Sequence, residues 1–175
     1  MSFNLNKIIR TSIKGLKPYS SARDEFTGKA DIYLDANENP FGNGLNRYPD
    51  PYQGSLKREI SKIKNIHEES IILGNGSDEV IDLLFRAFCE PGKDEVIILP
   101  PTYGMYQVCA DVNNVKTKKV SLTSDYEVDE LSLLKAINEK SKIIWFCSPN
   151  NPTGNTMDPA VIKNILNCFE GIVVI

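Results

Sequence analysis

From Ser70 onward the chain repeats one pattern: a short apolar run, a stop at glycine, proline or asparagine, then a segment whose apolar residues recur every three to four positions. Strands buried on both faces, alternating with helices that carry one apolar stripe, produce that pattern, so the expected fold is α/β on a parallel sheet. Ile71-Ile72-Leu73 leads through Gly74-Asn75-Gly76 into a helix presenting Ile81, Leu84, Phe85 and Phe88, ended by Pro91-Gly92. Val96–Leu99 stops at Pro100-Pro101 before a helix near Tyr103, and Val115–Leu122 forms the next strand. Asp129 opens a helix expected to bury Leu131, Leu134 and Ile137, ahead of a strand at Ile143–Cys147. Asp158-Pro159 supplies an N-cap and a first-turn proline for a helix presenting Ile162, Ile165, Leu166 and Phe169, closed by Gly171. The last run, Ile172–Ile175, reads as a strand buried on both faces. A strand of that kind with nothing after it to cover it is expected to belong to a larger sheet, so the chain reads as truncated, and made alone it is expected to aggregate or pack loosely.

The first 47 residues have a different character. Gly15, Pro18, Gly28, Pro40, Gly42 and Gly44 interrupt them and leave only short apolar groups, the composition of an irregular arm. Arg47-Tyr48-Pro49-Asp50-Pro51 marks a further turn, after which Leu56, Ile60 and Ile63 give a helix over Gly54–Lys64.

Several function classes are excluded at this level. The net charge is −3, with lysine and arginine dispersed, so no footprint for nucleic acid is present. No apolar run approaches the ~20 residues of a membrane-spanning helix, and Met1–Leu5 lacks the basic and apolar regions of a signal peptide. The expected location is the cytoplasm. Four cysteines without a CxxC pair, and the single His67, give no zinc pattern. The thiols are expected to be buried and free, and His67 to be a solvated loop residue.

Three loops carry chemistry. Gly74-Asn75-Gly76-Ser77-Asp78-Glu79 stands between a strand and a helix, an arrangement that aims backbone N–H groups and a positive helix end at one spot, suited to phosphate. The same residues also make an ordinary helix cap, and the third glycine of a dinucleotide fingerprint falls on Glu79. Tyr103, after the next strand, lies at the same carboxyl edge and can cover a flat ring, or simply pack at the rim. In Ser148-Pro149-Asn150-Asn151-Pro152-Thr153-Gly154 two prolines stiffen a loop from which Asn151 can donate to an anionic oxygen, or which is only a turn. Together the three suit a phosphorylated planar ring bearing an oxyanion, the description of pyridoxal 5'-phosphate (PLP).

Leu34-Asp35-Ala36-Asn37-Glu38-Asn39-Pro40, Arg47-Tyr48-Pro49-Asp50, Leu73–Glu79, Pro101-Thr102-Tyr103-Gly104-Met105-Tyr106 and Cys147–Asn155 resemble, in order and spacing, the successive motifs of the histidinol-phosphate aminotransferases. The Asn-Pro-Thr-Gly element alone points to the wider class I and II aminotransferases; the Asn-Glu-Asn-Pro and Arg-Tyr-Pro segments narrow the likeness. The resemblance implies the three-layer α/β/α fold type I of PLP-dependent transferases. It assigns residues 1–47 to an amino-terminal arm and small-domain segment, and 48–175 to the first, incomplete part of the large PLP-binding domain. It further implies that Gly76, Ser77 and Asp78 hold the cofactor phosphate, that Tyr103 stacks on the ring and that Asn151 binds its phenolic oxygen. Tyr48 resembles the tyrosine that reaches the cofactor phosphate of a neighbouring subunit, which implies a homodimer. Tyr19 resembles a residue that meets the substrate phosphate, and Asn37 one near the substrate carboxylate.

The implied reaction is amino transfer between glutamate and imidazole-acetol phosphate in histidine biosynthesis. The family's Asp-Glu-Ala-Tyr segment and the Ser-Lys element with its Schiff-base lysine are not among these residues, so no catalytic residue is assigned and activity of the 175 residues by themselves is not expected. Alternatives are a threonine-phosphate decarboxylase, a non-catalytic module made of part of an aminotransferase, and a dinucleotide-binding oxidoreductase.

Overall fold

The computed structural model describes residues 4–26 and 28–175. They divide into two compact units, one of residues 4–15 with 74–175 and the other within residues 16–73.

In the first unit, α1 (Leu5–Ile8) and α2 (Thr11–Lys14) lead the chain. Between them Arg10 bonds to the far end of a later helix: its N–H donates to Ala87 O, its Nη1 to Arg86 O at 2.8 Å, and its Nε faces Glu90 at 3.4 Å. The second unit holds α3 (Ala22–Glu25), α4 (Gly54–Lys64) and a 3₁₀ turn over Glu68–Ser70. The bounds of α4 are those expected from the spacing of Leu56, Ile60 and Ile63. His67 is solvated, as expected, and caps the 3₁₀ turn by accepting the Glu69 N–H.

The sheet belongs to the first unit. After α5 (Gly76–Phe88) come β1 (Glu95–Ile98), α6 (Met105–Val112), β2 (Lys116–Lys119), α7 (Glu130–Ala136), β3 (Ser141–Trp145), α8 (Pro159–Cys168) and β4 (Ile172–Val174). The four strands are parallel in the order β2-β1-β3-β4. Residues alternate between the two faces as strand geometry demands. Val96, Ile98, Ile143 and Trp145 pack with Ile81, Phe85, Tyr106, Cys109 and Ala110 of α5 and α6; Ile97, Leu99, Ile144 and Phe146 pack with Leu133, Ile162, Ile165 and Phe169 of the α7 and α8 side. This is a three-layer α/β/α arrangement. Asp129 and Asp158 cap α7 and α8 as expected, accepting from the N–H groups of Ser132 and Ala160.

The structure corrects five expectations. Ile71–Leu73 is not a strand; it has no paired neighbour among the described residues, and Ile72 is exposed. In α7 the buried residue is Leu133, while Leu131 lies outside at 71% exposure and Leu134 is half-buried, because the helix phase turns 133, 136 and 137 toward the sheet. Leu166 of α8 is exposed beside the buried Ile165. β4 is half-buried rather than covered on both faces, since β3 is its one strand neighbour among the described residues. Of the four free thiols only Cys89 and Cys109 are buried; Cys147 is half-buried and Cys168 exposed.

Candidate active site

Parallel strands deliver their following loops to one edge, so the loop after β1 and the loop after β3 leave the sheet together. Two hydrogen bonds show how they are joined. Asn150 Nδ2 donates to Pro101 O at 2.9 Å, tying one loop to the other. Tyr103 Oη donates to Asp78 Oδ1 at 2.9 Å, bringing the start of α5 to the same edge.

At that start Gly76 adopts φ +76°, and a Cβ placed there would meet nothing within 4 Å. Left-handed backbone costs little for glycine, so the turn into the helix is sharp. Glu79 folds back to accept from both the backbone and the side-chain amide of Asn75. The Ser77 and Asp78 N–H groups belong to the first turn, where no intrahelical acceptor exists, and none is supplied by another group among the described residues. Ser77 is exposed and Asp78 half-buried.

Tyr103 is half-buried, its ring edge-on to Tyr106 with centroids 5.7 Å apart. The hydrogen bond to the Asp78 carboxylate holds its phenol above the usual tyrosine range, so the hydroxyl stays a neutral donor. Tyr106 in turn stacks on Trp145 at 4.8 Å, and burial raises its own phenol well above the usual range. The tyrosine at the edge therefore rests on the core.

The loop after β3 is closed on itself. Asn150 N–H donates to Asn155 O and Gly154 N–H to Asn150 O, both at 2.7 Å; Thr153 Oγ1 bonds the Asn155 side chain; Met157 N–H reaches Ser148 Oγ at 3.0 Å. Asn151 stands exposed on this frame, its backbone N–H donating to Cys147 Sγ at 3.4 Å. Asn150, Cys147 and Glu79 were not singled out from the sequence. For Asn150 the signal was there, a second asparagine inside the same proline-bounded loop.

The second unit carries its own cluster. Glu38 of the Asn-Glu-Asn-Pro segment, its side chain 4% exposed, accepts from Arg47 Nη1 at 2.6 Å and from the Tyr48 N–H at 2.8 Å. Tyr48 Oη lies 3.4 Å from Asn37 O. Two motifs noted separately in the sequence thus form one structure, placing Asn37 beside Tyr48. Both are exposed, as is Tyr19 at 87%. Tyr19 is not brought to either residue by a hydrogen bond among those described.

Two clefts of about 470 and 720 Å³ open at the opposite, amino edge of the strands, around Glu95 with Lys116 and around Ser141 with Gly171. There Glu95, bonded by Asn138 and facing Lys116 and Lys118, is held below the usual carboxylate range; this charge lattice ties strands together at the edge opposite Tyr103 and Asn151.

Residues 31–175 match the family model for aminotransferase class I and II. The chain belongs to that family. It is 57% identical to the histidinol-phosphate aminotransferase of Christiangramia forsetii over 99% of its length, and 54% identical to that of Cytophaga hutchinsonii over all of it. It spans about half the length of these curated relatives, 50% and 51%. Among solved structures, the N-succinyldiaminopimelate aminotransferase of Mycobacterium tuberculosis superposes with a TM-score of 0.67 at 26% identity, covering 74% of this chain and 37% of that one. The kinship and the fold type I architecture expected from the motifs both stand, and the family's enzymes depend on PLP.

Proposed function

We propose that the protein carrying these residues is a histidinol-phosphate aminotransferase, moving an amino group between glutamate and imidazole-acetol phosphate with PLP as cofactor. The reading is carried by one observation, the joining of three loops at the carboxyl edge through Tyr103–Asp78 and Asn150–Pro101. It draws further support from relatives of that name at 57% and 54% identity.

The residues present fit the cofactor. Gly76 leaves open space where a side chain would stand, and the Ser77 and Asp78 N–H groups lack acceptors at a positive helix end, the setting in which a phosphate is held. Tyr103 would offer its ring face to the pyridine, and Asn151 its exposed amide to the ring oxygen. Bound there, PLP supplies the electron sink for amino transfer. The chain's own part is to grip the phosphate, fix the ring's tilt and keep the Tyr103 hydroxyl protonated through Asp78. In this proposal Tyr48 reaches the phosphate site of a second subunit in a homodimer, while Asn37 and Tyr19 serve the substrate's carboxylate and phosphate. Residues 1–47 form the arm and small-domain segment and 48–175 the first part of the large domain, although the compact units divide the chain elsewhere. The proposed location is the cytoplasm; no helix among the described residues is long and apolar enough to cross a membrane.

The test is made on the full-length protein. Glutamate-dependent amination of imidazole-acetol phosphate is expected, with Asn151→Ala and Tyr103→Phe each weakening PLP binding by about tenfold. Carbon dioxide release without amino transfer, or native PLP affinity in both variants, would overturn the reading.

A further inference from the structure

Asn150 is 3% exposed, in the loop between β3 and α8, one residue before the amide proposed to meet the ring oxygen. Its Nδ2 donates to Thr153 Oγ1 at 2.6 Å within the loop and to Pro101 O at 2.9 Å, 49 residues away in sequence. The orientation of the amide is dictated by chemistry: a backbone carbonyl only accepts, so the nitrogen must face Pro101. Asn150 Oδ1, by contrast, is buried with no partner among the described residues. A buried amide satisfied on one side only is a poor choice for stability, and an apolar side chain would fill the space without leaving an orphaned oxygen. What the asparagine provides there, and an apolar residue does not, is the donor that reaches Pro101.

That donor joins the two segments whose relative placement the site needs. Tyr103 lies two residues beyond Pro101, and Asn151 directly follows Asn150. Asn151 is exposed and is anchored through its backbone, by the Cys147 Sγ contact on one side and the locked Asn150 on the other. Paired strands and a shared core bring the two loops close, and the Pro101 bond adds a direct tie between them, where a small shift of one against the other is more than a cofactor contact tolerates.

We infer that Asn150 is a positioning residue, whose bond to Pro101 sets the offset between the Tyr103 ring and the Asn151 amide so that both engage one flat, phosphorylated ring. This rests on the proposed roles of Tyr103 and Asn151, and the experiment separates the two ideas. PLP is titrated into the full-length protein, native and with Asn150→Ala, Asn150→Asp, Asn151→Ala, and Asn150→Ala with Asn151→Ala, following the cofactor's visible absorption. Expected is a loss of affinity of about tenfold in Asn150→Ala with a band shift like that of Asn151→Ala, and no further loss in the double variant, because Asn150 acts through Asn151. In Asn150→Asp the affinity relative to native should recover as pH falls, since only the protonated acid can donate to Pro101 O. Native affinity and spectrum in Asn150→Ala beside an impaired Asn151→Ala would overturn the positioning role and leave the site reading standing. Additive losses in the double variant would also overturn it. An unaffected Asn151→Ala would sink the site reading and this inference with it. If Asn150→Ala fails to fold, the pH response of Asn150→Asp decides, and a flat ratio refutes the role.

Discussion

The carboxyl edge of the sheet and the segment from residue 16 to 73 both carry residues proposed for the site, but they are held by different forces. At the sheet edge each candidate stands on a buried support: Tyr103 on Tyr106 and Trp145, Asn151 on the locked Asn150, Ser77 on a helix whose Ile81 and Phe85 are buried in the core. In residues 16–73 the described large apolar side chains are mostly exposed, among them Ile32, Leu34, Phe41 and Leu45, and order comes from a polar centre, Glu38. The lesson is that the first region is positioned by dense apolar packing, which tolerates little displacement, and the second by a few hydrogen bonds whose loss is local.

The strongest way to break that contrast is Trp145→Ala. Trp145 is fully buried between Phe85 at 5.5 Å and Tyr106 at 4.8 Å, so its removal should cost about 3–5 kcal/mol in urea unfolding of the full-length protein. A loss near zero would mean that the sheet edge is not core-supported at all.

A second test uses pH. Burial pushes the Cys89 thiol up to about 12 from the ordinary 9.0. Folding therefore favours the protonated form: the contribution is intact below pH 9 and declines as pH rises from there toward 12, by at most about 1.4 kcal/mol per pH unit. Cys89→Ala should lessen that alkaline slope in thermal melts, the raised Cys109 and Tyr106 groups keeping the remainder, and an unchanged slope would remove Cys89 as a contributor.

Smaller and more local is Glu38→Ala, expected to cost about 1–3 kcal/mol and to accelerate hydrogen exchange at the Tyr48 amide while amides of β1 and β3 stay protected. Exchange accelerating equally in the sheet would erase the distinction between the regions. The smallest effect is Lys62→Ala, which removes an exposed pair with Glu59 at 2.8 Å on α4 and should change stability by less than about 0.5 kcal/mol. A larger loss would show that the helix depends on its surface charges.

Much of this was readable in the residues. Helix α4 followed from apolar spacing, the starts of α7 and α8 from Asp129 and Asp158, and β1 and β3 from continuous apolar runs, because these signals are local and periodic. Ile71–Leu73 looked like the same kind of run, but a strand is defined by its neighbour, and no neighbour is written into the segment itself. Leu131 and Leu133 differ only in helix phase, which is fixed by how α7 docks on the sheet. Among site residues, Tyr103 and Asn151 stood out by their place after strands, whereas Asn150 and Glu38 did not, since their partners lie 49 and about 10 positions away.

By itself, then, the sequence determined the alternation of strands and helices, the family and the edge of the sheet at which the proposed site lies, all properties of short stretches read one at a time. Tertiary structure decided which faces are buried, which asparagine anchors and which reaches outward, and that Tyr103 is bonded to Asp78. Those depend on distances between segments remote in the chain, and only packing fixes such distances.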